Sequence, residues 1–250
     1  MLDKTSQQPL YKRILLKLSG EALQGDDTFG IQPEKLAQVS AEVARVTQLG
    51  VQVALVIGAG NFVRGAGFCS TELDRVTADQ MGMLATIMNA LALRDALDRK
   101  SVAVKVMSAL AVPGLVDFYS RRDALHALQQ GQVVIFAGGT GNPLVTTDSA
   151  AALRGIEINA DLLIKATKVD GVFAADPLKN PKAEYYATLT YDQVIEGRLG
   201  VMDLNAILLC QEHGLLLRVL NMNKPDALLH AVLGEAVGTL VHQDGATKHA

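Results

Sequence analysis

Short apolar runs alternate along the chain with longer segments in which apolar residues recur at helical spacing. The short runs are rich in Val, Ile and Leu and end at glycine or polar residues, which is typical of buried strands. This pattern predicts strands at 12–18, 51–57, 102–107, 132–137, 161–166, 215–220 and 238–242. It predicts helices at 33–49, 76–97, 121–130, 148–159, 191–196, 203–213 and 225–233.

Strands that alternate with helices favour a largely parallel sheet with helices on both of its faces. The predicted fold class is therefore α/β, a three-layer αβα sandwich around a largely parallel central sheet. No repeat, low-complexity segment or clear linker divides the chain, so we expect a single domain over residues 1–250.

The predicted helix at 76–97 is unusual because its apolar residues do not fit one narrow stripe. They are Met81, Met83, Leu84, Ile87, Met88, Leu91, Leu93 and Leu97. A helix that is apolar all round is normally buried on more than one side. The second side is covered either by a partner subunit or by the rest of the same chain, and the sequence leaves both possibilities open.

Composition excludes several classes of function. Net charge is −3 and there is no basic block, which argues against a nucleic-acid partner. Cys69 and Cys210 are far apart and the first ten residues are polar, so we expect a cytoplasmic protein without disulfides or a signal peptide. The longest apolar stretch is too short to span a bilayer, so no membrane association is expected. The histidines lack metal-ligand spacing, so no metal site built by the protein is expected.

Three glycine-bearing turns follow predicted strands: Ser19-Gly20, Gly58-Ala59-Gly60 and the run 138–141. Ligands of open α/β sheets bind beyond the carboxyl ends of the strands. Glycine lets backbone N–H groups approach phosphate oxygens closely. Each turn alone could be a simple tight turn, but three together favour a polyphosphate ligand.

Two common nucleotide motifs are absent from the sequence. A Walker A loop requires Gly-Lys-Ser/Thr, and Gly-Lys does not occur anywhere in the chain. The dinucleotide fingerprint requires a third glycine, and Val63 stands at that position after Gly58 and Gly60. Phosphate must therefore be bound by a different arrangement.

Three charged residues near these turns are candidates for chemistry. Lys17, at the end of a predicted strand, could reach phosphates as a point charge, or it could simply face solvent. Arg64 could hold a phosphate bidentately, or it could be a surface-loop arginine. Asp148 could orient lysines or hold magnesium-bound water, or it could only cap a helix.

Motifs from about residue 11 to residue 241 resemble those of the bacterial UMP kinases, which belong to the amino-acid kinase fold family. The matching segments are KRILLKLSGEAL (12–23), VIGAGNFVRGAG (56–67), DQMGMLATIMNALALRDAL (79–97), GTGNPLVTTDSAAALRGIEINAD (139–161), KATKVDGVFAADP (165–177), VMDLNA (201–206) and RVLNMNKP (218–225). The DQMGMLA and TGNPLVTTDSAA segments are more specific to the UMP branch than KLSG is.

The resemblance implies a role for each matching position. The implied catalytic residues are Lys17, Arg64, Asp148 and Asp176. The implied ATP contacts are Lys17, Leu18, Ser19, Gly20, Gly60, Arg64, Thr167, Phe173 and Asp176. The implied UMP contacts are Ala59, Asp79, Thr140, Gly141, Asn142, Pro143, Leu144, Val145, Thr146 and Thr147. The region linked to GTP activation is Gly25, Asp26, Asp27, Thr28, Phe29 and Gly30.

The resemblance also implies the activity and the assembly. The reaction would be ATP + UMP to ADP + UDP in pyrimidine nucleotide biosynthesis, with Mg²⁺ held mainly through ATP phosphates and water. GTP and UTP would be the effectors, and the oligomer a homohexamer built as a trimer of dimers. UMP would bind mainly the N-terminal part and ATP mainly the part from about residue 150. Ala59 departs from the family, which usually has a third glycine there.

Two other functions remain open on the sequence. One is a kinase of the same fold with a carboxylate-type acceptor, such as carbamate or acetylglutamate. The segments around Asp79 and 140–151 argue against it. The other is a non-catalytic nucleotide-binding or storage protein, against which the joint presence of Lys17, Asp148 and Asp176 argues.

Overall fold

The computed structural model describes residues 8–63 and 73–244. Within this part of the chain, the strands form one nine-stranded sheet and one two-stranded hairpin. The strands are β1 (Arg13–Leu18), β2 (Gln52–Ile57), β3 (Val104–Ser108), β4 (Asp117–Phe118), β5 (Val133–Ala137), β6 (Leu162–Thr167), β7 (Val172–Phe173), β8 (Tyr185–Tyr186), β9 (Thr188–Thr190), β10 (Leu216–Asn221) and β11 (Thr239–His242).

The large sheet has the order β4-β3-β5-β2-β1-β6-β10-β11-β9, and β7 pairs with β8 in the hairpin. Its neighbouring strands are parallel except for β10 and β11. The central strands are apolar and buried: β1 is buried from Ile14 to Leu18. Near-continuous apolar strands are what a sheet covered on both faces requires.

Helices cover both faces of the sheet. The helices of the described residues are α1 (Glu21–Gln24), α2 (Pro33–Gln48), α3 (Arg75–Asp98), α4 (Arg121–Gln129), α5 (Thr147–Glu157), α6 (Tyr191–Glu196), α7 (Leu204–Glu212) and α8 (Ala227–Val232). One core cluster joins the sheet to α2, α3 and α8. A second joins the opposite face to α4, α5, α6 and α7. The predicted three-layer α/β fold is confirmed.

The alternation of side chains along β1 decides which face its lysine occupies. Leu16 and Leu18 belong to the core under α2 and α3, whereas Leu15 belongs to the core under α5. Because successive side chains of a strand point to opposite faces, Lys17 lies on the same face as Leu15. Lys17 therefore faces the helix α5 side of the sheet.

Four short strands were not predicted from the sequence: β4, β7, β8 and β9 have two or three residues each. A run of that length is too short for an alternation of apolar and polar residues to be recognised. All seven predicted strands are present, with ends that differ by at most a few residues.

The helix at the predicted position 76–97 is α3, and its own chain does not cover it completely. Ile87, Leu93 and Leu97 are buried, but Leu84 is 54% exposed and Met88 is 53% exposed. The possibility that the chain itself buries every face of this helix is therefore wrong.

In residues 8–63 and 73–244, no helix combines the length and the hydropathy needed to cross a bilayer.

Candidate active site

Two lysines and one aspartate form a compact cluster at the carboxyl end of the central strands. Lys17 on β1 and Lys165 on β6 are register partners in adjacent parallel strands, so their side chains share a face. The carboxylate of Asp148 lies between them, with Oδ1 2.6 Å from Lys17 Nζ and Oδ2 2.9 Å from Lys165 Nζ. Lys165 Nζ also donates to the carbonyl of Val201 at 2.6 Å.

The cluster is strongly shielded from water, which affects its protonation. Burial would raise the pKa of Asp148, but the ammonium groups of Lys17 and Lys165 outweigh this effect and lower the pKa below its ordinary value. Burial lowers the pKa of Lys165, and the attraction of Asp148 only partly offsets that effect. Asp148 is consequently an ionised carboxylate at neutral pH and a weak proton acceptor. Its suitable role is to hold two cations in place.

The start of helix α5 positions Asp148. Thr146 is the N-cap, and its Oγ1 accepts from the N–H groups of Asp148 and Ser149 at 3.1 and 3.4 Å. The suggestion that Asp148 only caps this helix is therefore wrong, because Thr146 has that role. Its neighbour Asp148 is free to project towards the lysines.

Lys165 and Asp203 are parts of this site that the sequence did not single out. Asp203 accepts hydrogen bonds from the hydroxyl groups of Thr146 and Ser149, the latter at 2.9 Å. Asp203 also caps helix α7 through the N–H of Ala206 at 2.9 Å. The segment from Val201 to Asp203 thus fixes both Lys165 and the start of α5. The signal for Lys165 was its register with Lys17, which becomes visible only once β1 and β6 are paired.

The glycine turns after β1 and β2 pack directly against each other. A Cβ built on Gly20 would lie 2.3 Å from Asn61 Oδ1 and 2.6 Å from the backbone N of Gly60. Since real Cβ atoms do not approach this closely, only glycine fits at position 20. The N–H of Gly58 donates to the carbonyl of Leu18 at 2.9 Å. Two backbone segments rich in N–H groups are thus held side by side above the carboxyl end of the sheet.

The third glycine turn leads into residues 140–147, the loop predicted to bind UMP. Asp79 ties this loop to helix α3. Leu144 has φ 68°, a left-handed conformation that is uncommon for a leucine. Its N–H donates to Asp79 Oδ2 at 2.8 Å, and Arg75 lies 3.0 Å from Asp79 Oδ1. The side chain of Asp79 keeps 22% of its surface exposed. Asp79 therefore both shapes the loop and remains accessible to a ligand.

Two cavities meet these elements. A cavity of about 410 Å³ is lined by residues that include Lys17, Ser19, Lys165 and Thr167. A smaller cavity of about 140 Å³ is lined by the following residues: Ala59, Val63, Ala78, Asp79, Gly82, Met83, Thr86, Gly139, Thr140, Asn142, Val145 and Thr147. Three of the predicted ATP contacts, Lys17, Ser19 and Thr167, thus line the first cavity, on the lysine side. Six of the predicted UMP contacts line the second, on the α3 side.

The other predicted ATP contacts differ in how near they lie to the lysine cluster. Thr167 lines the lysine-side cavity, and its Oγ1 donates to the carbonyl of Val169 at 2.7 Å. Phe173 lines a separate cavity of about 520 Å³. Asp176 is bonded to the N–H of Leu178 at 3.0 Å, and no contact in the described part of the chain joins it to the lysine cluster. Arg64 lies outside the described residues.

The segment predicted to carry GTP activation contacts the second glycine turn. Gly30 N–H donates to the carbonyl of Asn61 at 2.9 Å, and Asn61 Nδ2 donates to the carbonyl of Gly30 at 3.0 Å. The rings of Phe29 and Phe62 pack edge to face at 5.4 Å. Gly25–Gly30 is therefore attached to the turn by one residue, Asn61, and by an aromatic contact.

The side chains at the site fit a magnesium ion that is held mostly by the phosphates of a bound nucleotide. Among residues 8–63 and 73–244, no group of three His, Cys, Asp or Glu side chains is arranged to hold a metal ion. Both carboxylate oxygens of Asp148 already face lysines. Magnesium usually keeps several waters and binds through one or two carboxylates plus phosphates, which is compatible with this set of donors.

Comparisons with known proteins point to one family. The model of the amino acid kinase family matches residues 12–221. The uridylate kinase of Ectopseudomonas mendocina (strain ymp) is 59% identical over 245 residues, which are 98% of this chain and 99% of the relative. The structure of UMP kinase from Bacillus anthracis superposes with a TM-score of 0.91 at 40% identity, covering 94% of this chain and 97% of that one. UMP kinase from Ureaplasma parvum gives 0.88 at 36% identity, covering 93% and 99%.

Proposed function

The chain belongs to the amino acid kinase family, and within it to the uridylate kinases, and we propose that it transfers the γ-phosphoryl group of ATP to UMP. The observation that carries the proposal is the cluster of Lys17, Asp148 and Lys165. Both lysines line the larger cavity, while Thr147, next to Asp148, lines the smaller one. A donor and an acceptor nucleotide in the two cavities would meet beside a local excess of positive charge.

The proposed reaction needs no general base. The second pKa of a phosphate monoester is about 6, so the attacking oxygen of UMP is already mostly ionised at pH 7. The γ-phosphorus–oxygen bond to ADP breaks as the bond to the UMP phosphate oxygen forms. This agrees with Asp148, whose lowered pKa makes it unsuitable as a proton acceptor.

The chemical difficulty is to bring two anions together in line and to neutralise the charge on the transferring group. Phosphoryl transfer is catalysed mainly by such positioning and electrostatics. Lys17 and Lys165 supply the cations, and the turns around Gly20 and Gly60 supply N–H groups. Mg²⁺, held by the ATP phosphates and by water near Asp148, would supply further charge neutralisation when it is bound.

An assay with labelled ATP and four acceptors tests the proposal. UMP, CMP, carbamate and acetylglutamate are offered separately, and labelled products are separated by thin-layer chromatography. We expect a labelled nucleoside diphosphate from UMP. Transfer to carbamate or acetylglutamate instead would assign the chain to a different acceptor class. Nucleotide binding without transfer to any acceptor would favour a storage or binding protein.

Asp79 is predicted to bind the ribose of UMP. Asp79→Asn should raise the KM for UMP by about 10-fold or more and the KM for ATP much less, because Asp79 lines only the smaller cavity. A carboxylate that hydrogen-bonds a ligand hydroxyl typically contributes about 1.5–3 kcal/mol. Steady-state kinetics with each substrate varied in turn measure the two KM values.

The matched control is Asp74→Asn, since Asp74 caps the same helix through the N–H of Thr77. It should lower the melting temperature slightly and leave both KM values unchanged. If Asp79→Asn moved the two KM values equally, or changed only the melting temperature, Asp79 would be a structural residue.

We also propose that the protein is a homohexamer built as a trimer of dimers, with α3 at the two-fold contact. The exposure of Leu84 and Met88 in the middle of this helix supports a second copy as the covering surface. A self-complementary patch is expected at a two-fold interface. This assembly would give every subunit the same environment on the side of α3 that faces away from its own sheet.

Met88→Glu should break this assembly. The carboxylate would have to be buried without a partner at a symmetric contact, where its symmetry mate adds like-charge repulsion. Sedimentation velocity at micromolar concentration should show species smaller than the hexamer. Leu208→Glu on α7, at a residue that is 45% exposed, is the control and should leave the oligomer intact. An intact hexamer in Met88→Glu would place the interface elsewhere, and a monomeric parent protein would refute the assembly.

The proposal extends to the effectors of the enzyme and to the parts of the chain that bind each nucleotide. Activation by GTP would act through Gly25–Gly30, and the contact of Gly30 with Asn61 supports a route to the second glycine turn. UTP would act as an inhibitor. The chain would work as one domain in the cytoplasm. Its N-terminal part would bind mainly UMP, and the part from about residue 150 would bind mainly ATP.

A further inference from the structure

A pair of buried amides lies behind the second glycine turn. Asn61, in the turn after β2, is 2% exposed, and Asn89, in the middle of α3, is 0% exposed. Asn61 Nδ2 donates to Asn89 Oδ1 at 2.9 Å, and Asn89 Nδ2 donates to Asn61 Oδ1 at 2.8 Å. The two side chains thus form a reciprocal pair inside the protein.

The second N–H of each amide reaches a backbone carbonyl. Asn89 Nδ2 donates to the carbonyl of Gly58 at 2.8 Å, and Asn61 Nδ2 donates to that of Gly30 at 3.0 Å. All four N–H donors of the pair are therefore satisfied. The pair connects three separate segments: the glycine turn, the Gly25–Gly30 segment and helix α3.

The side-chain oxygen of Asn61 lies against Gly20, and this contact links the amide pair to the site. It is the atom that a Cβ on Gly20 would approach to 2.3 Å. The hydrogen bond from Asn89 holds this oxygen in place, so Asn89 indirectly fixes how the turns at Gly20 and Gly60 sit against each other. A displacement of either turn would change the spacing between the predicted donor and acceptor phosphates.

Stability alone does not explain a polar pair at this place. Asn89 has Ala90 and Leu93 as buried neighbours on the same helix, in the core under α2 and α3. Replacing both partners of a buried hydrogen-bonded pair by apolar groups of the same shape can be nearly neutral, so an apolar pair here would be compatible with the fold. What only the Asn89 amide provides is the pair of directed hydrogen bonds to the carbonyl of Gly58 and to Asn61.

We propose that Asn89, acting through Asn61, is a positioning residue that holds the Gly58–Gly60 turn against Gly20 and thereby sets the alignment of the two phosphate groups. The proposal rests on the phosphoryl transfer proposed above. Neither amide needs to touch a nucleotide, because both act by fixing the backbone that does. The effect should accordingly fall on the rate of transfer rather than on the binding of either nucleotide.

The test uses Asn89→Leu, which keeps the branched shape of the side chain but is larger and cannot hydrogen-bond, and Asn89→Ala, which removes the amide without adding bulk. Both variants are expected to fold and to lower kcat by about 10- to 100-fold, since a misplacement of about 1 Å can cost about that much. The KM values for ATP and UMP should stay within about 3-fold of those of the parent protein. Ser40→Ala, which removes another buried hydrogen bond at α2, is the control and should keep the parent kcat.

Hydrogen exchange measured by mass spectrometry gives a second readout that does not depend on activity. In both variants, peptides that cover 58–63 and 19–24 should exchange faster, while peptides from α5 and β10 should be unchanged. A parent protein that does not phosphorylate UMP would refute the proposed function, and the exchange comparison would still test the positioning role.

Three results would overturn the inference. One is a folded Asn89→Leu or Asn89→Ala with a kcat within 2-fold of the parent protein. Another is unchanged exchange at 58–63. The third is unfolding of both variants at 25 °C, which would assign the amide pair to overall stability rather than to alignment.

Discussion

Lys17→Ala should lower kcat by about 10²–10³-fold, the usual cost of removing one group that stabilises transition-state charge. Lys17 lies in the lysine-side cavity with its ammonium 2.6 Å from Asp148. Negative charge would grow on the transferring phosphoryl beside this cation, so the loss should appear in kcat more than in either KM. Rapid-quench or steady-state assays on the purified variant measure it.

The fold should survive this substitution because Asp148 keeps a partner. Lys165 remains 2.9 Å from its other oxygen, so the carboxylate is not left buried without a cation. Lys105→Ala is the matched control. It removes a lysine from another ion pair, with Asp117 at 2.8 Å, and should retain the parent rate. Near-normal turnover of Lys17→Ala with an unchanged melting curve would remove Lys17 from the mechanism.

The sequence predicted the sheet well because its central strands carry a strong signal. The runs at β1, β2, β5 and β6 are mostly apolar and mostly buried, as strands covered on both faces must be. The strand order and the pairing of β9 with β11 did not follow from the pattern, because pairing depends on contacts between distant segments. The four shortest strands have no period to detect.

The candidate site was predicted in part, and the omissions have a common cause. Lys17 and Asp148 were recognised from their positions beside glycine turns and at a helix start. Lys165 looked like an ordinary strand residue, because its role follows from pairing with β1 and not from its own neighbours in sequence. Asp203 was missed for the same reason, since its partners at Thr146 and Ser149 are far away along the chain.

The largest expected effect is the preference for UMP over CMP. Cytosine presents an amino group and an unprotonated ring nitrogen where uracil presents a carbonyl and an N–H. A site that hydrogen-bonds the uracil edge would therefore meet cytosine with donors facing donors and acceptors facing acceptors. A site of this kind rejects the mismatched analogue by about 10⁴ or more.

The loop that would recognise the base is held too firmly to rearrange for the wrong one. Leu144 N–H is fixed by Asp79 at 2.8 Å, and Gly141 N–H by the carbonyl of Gly138 at 2.9 Å. Thr146 is anchored at the start of α5 by its hydrogen bond to Asp203. Moving the loop to re-pair its polar groups with cytosine would break several of these bonds at once. The full cost of the mismatch should therefore appear as a lower kcat/KM for CMP.

The measurement is kcat/KM for UMP and for CMP at the same ATP concentration, with UMP-free CMP so that trace contamination does not imitate activity. A ratio of about 10⁴ is expected for the parent protein, and Asp79→Ala should reduce that ratio because it releases the N–H of Leu144 and loosens the loop. Comparable kcat/KM for the two nucleotides would refute recognition of the uracil edge. It would indicate instead that the smaller cavity binds any pyrimidine by shape, with the phosphate and ribose providing the affinity.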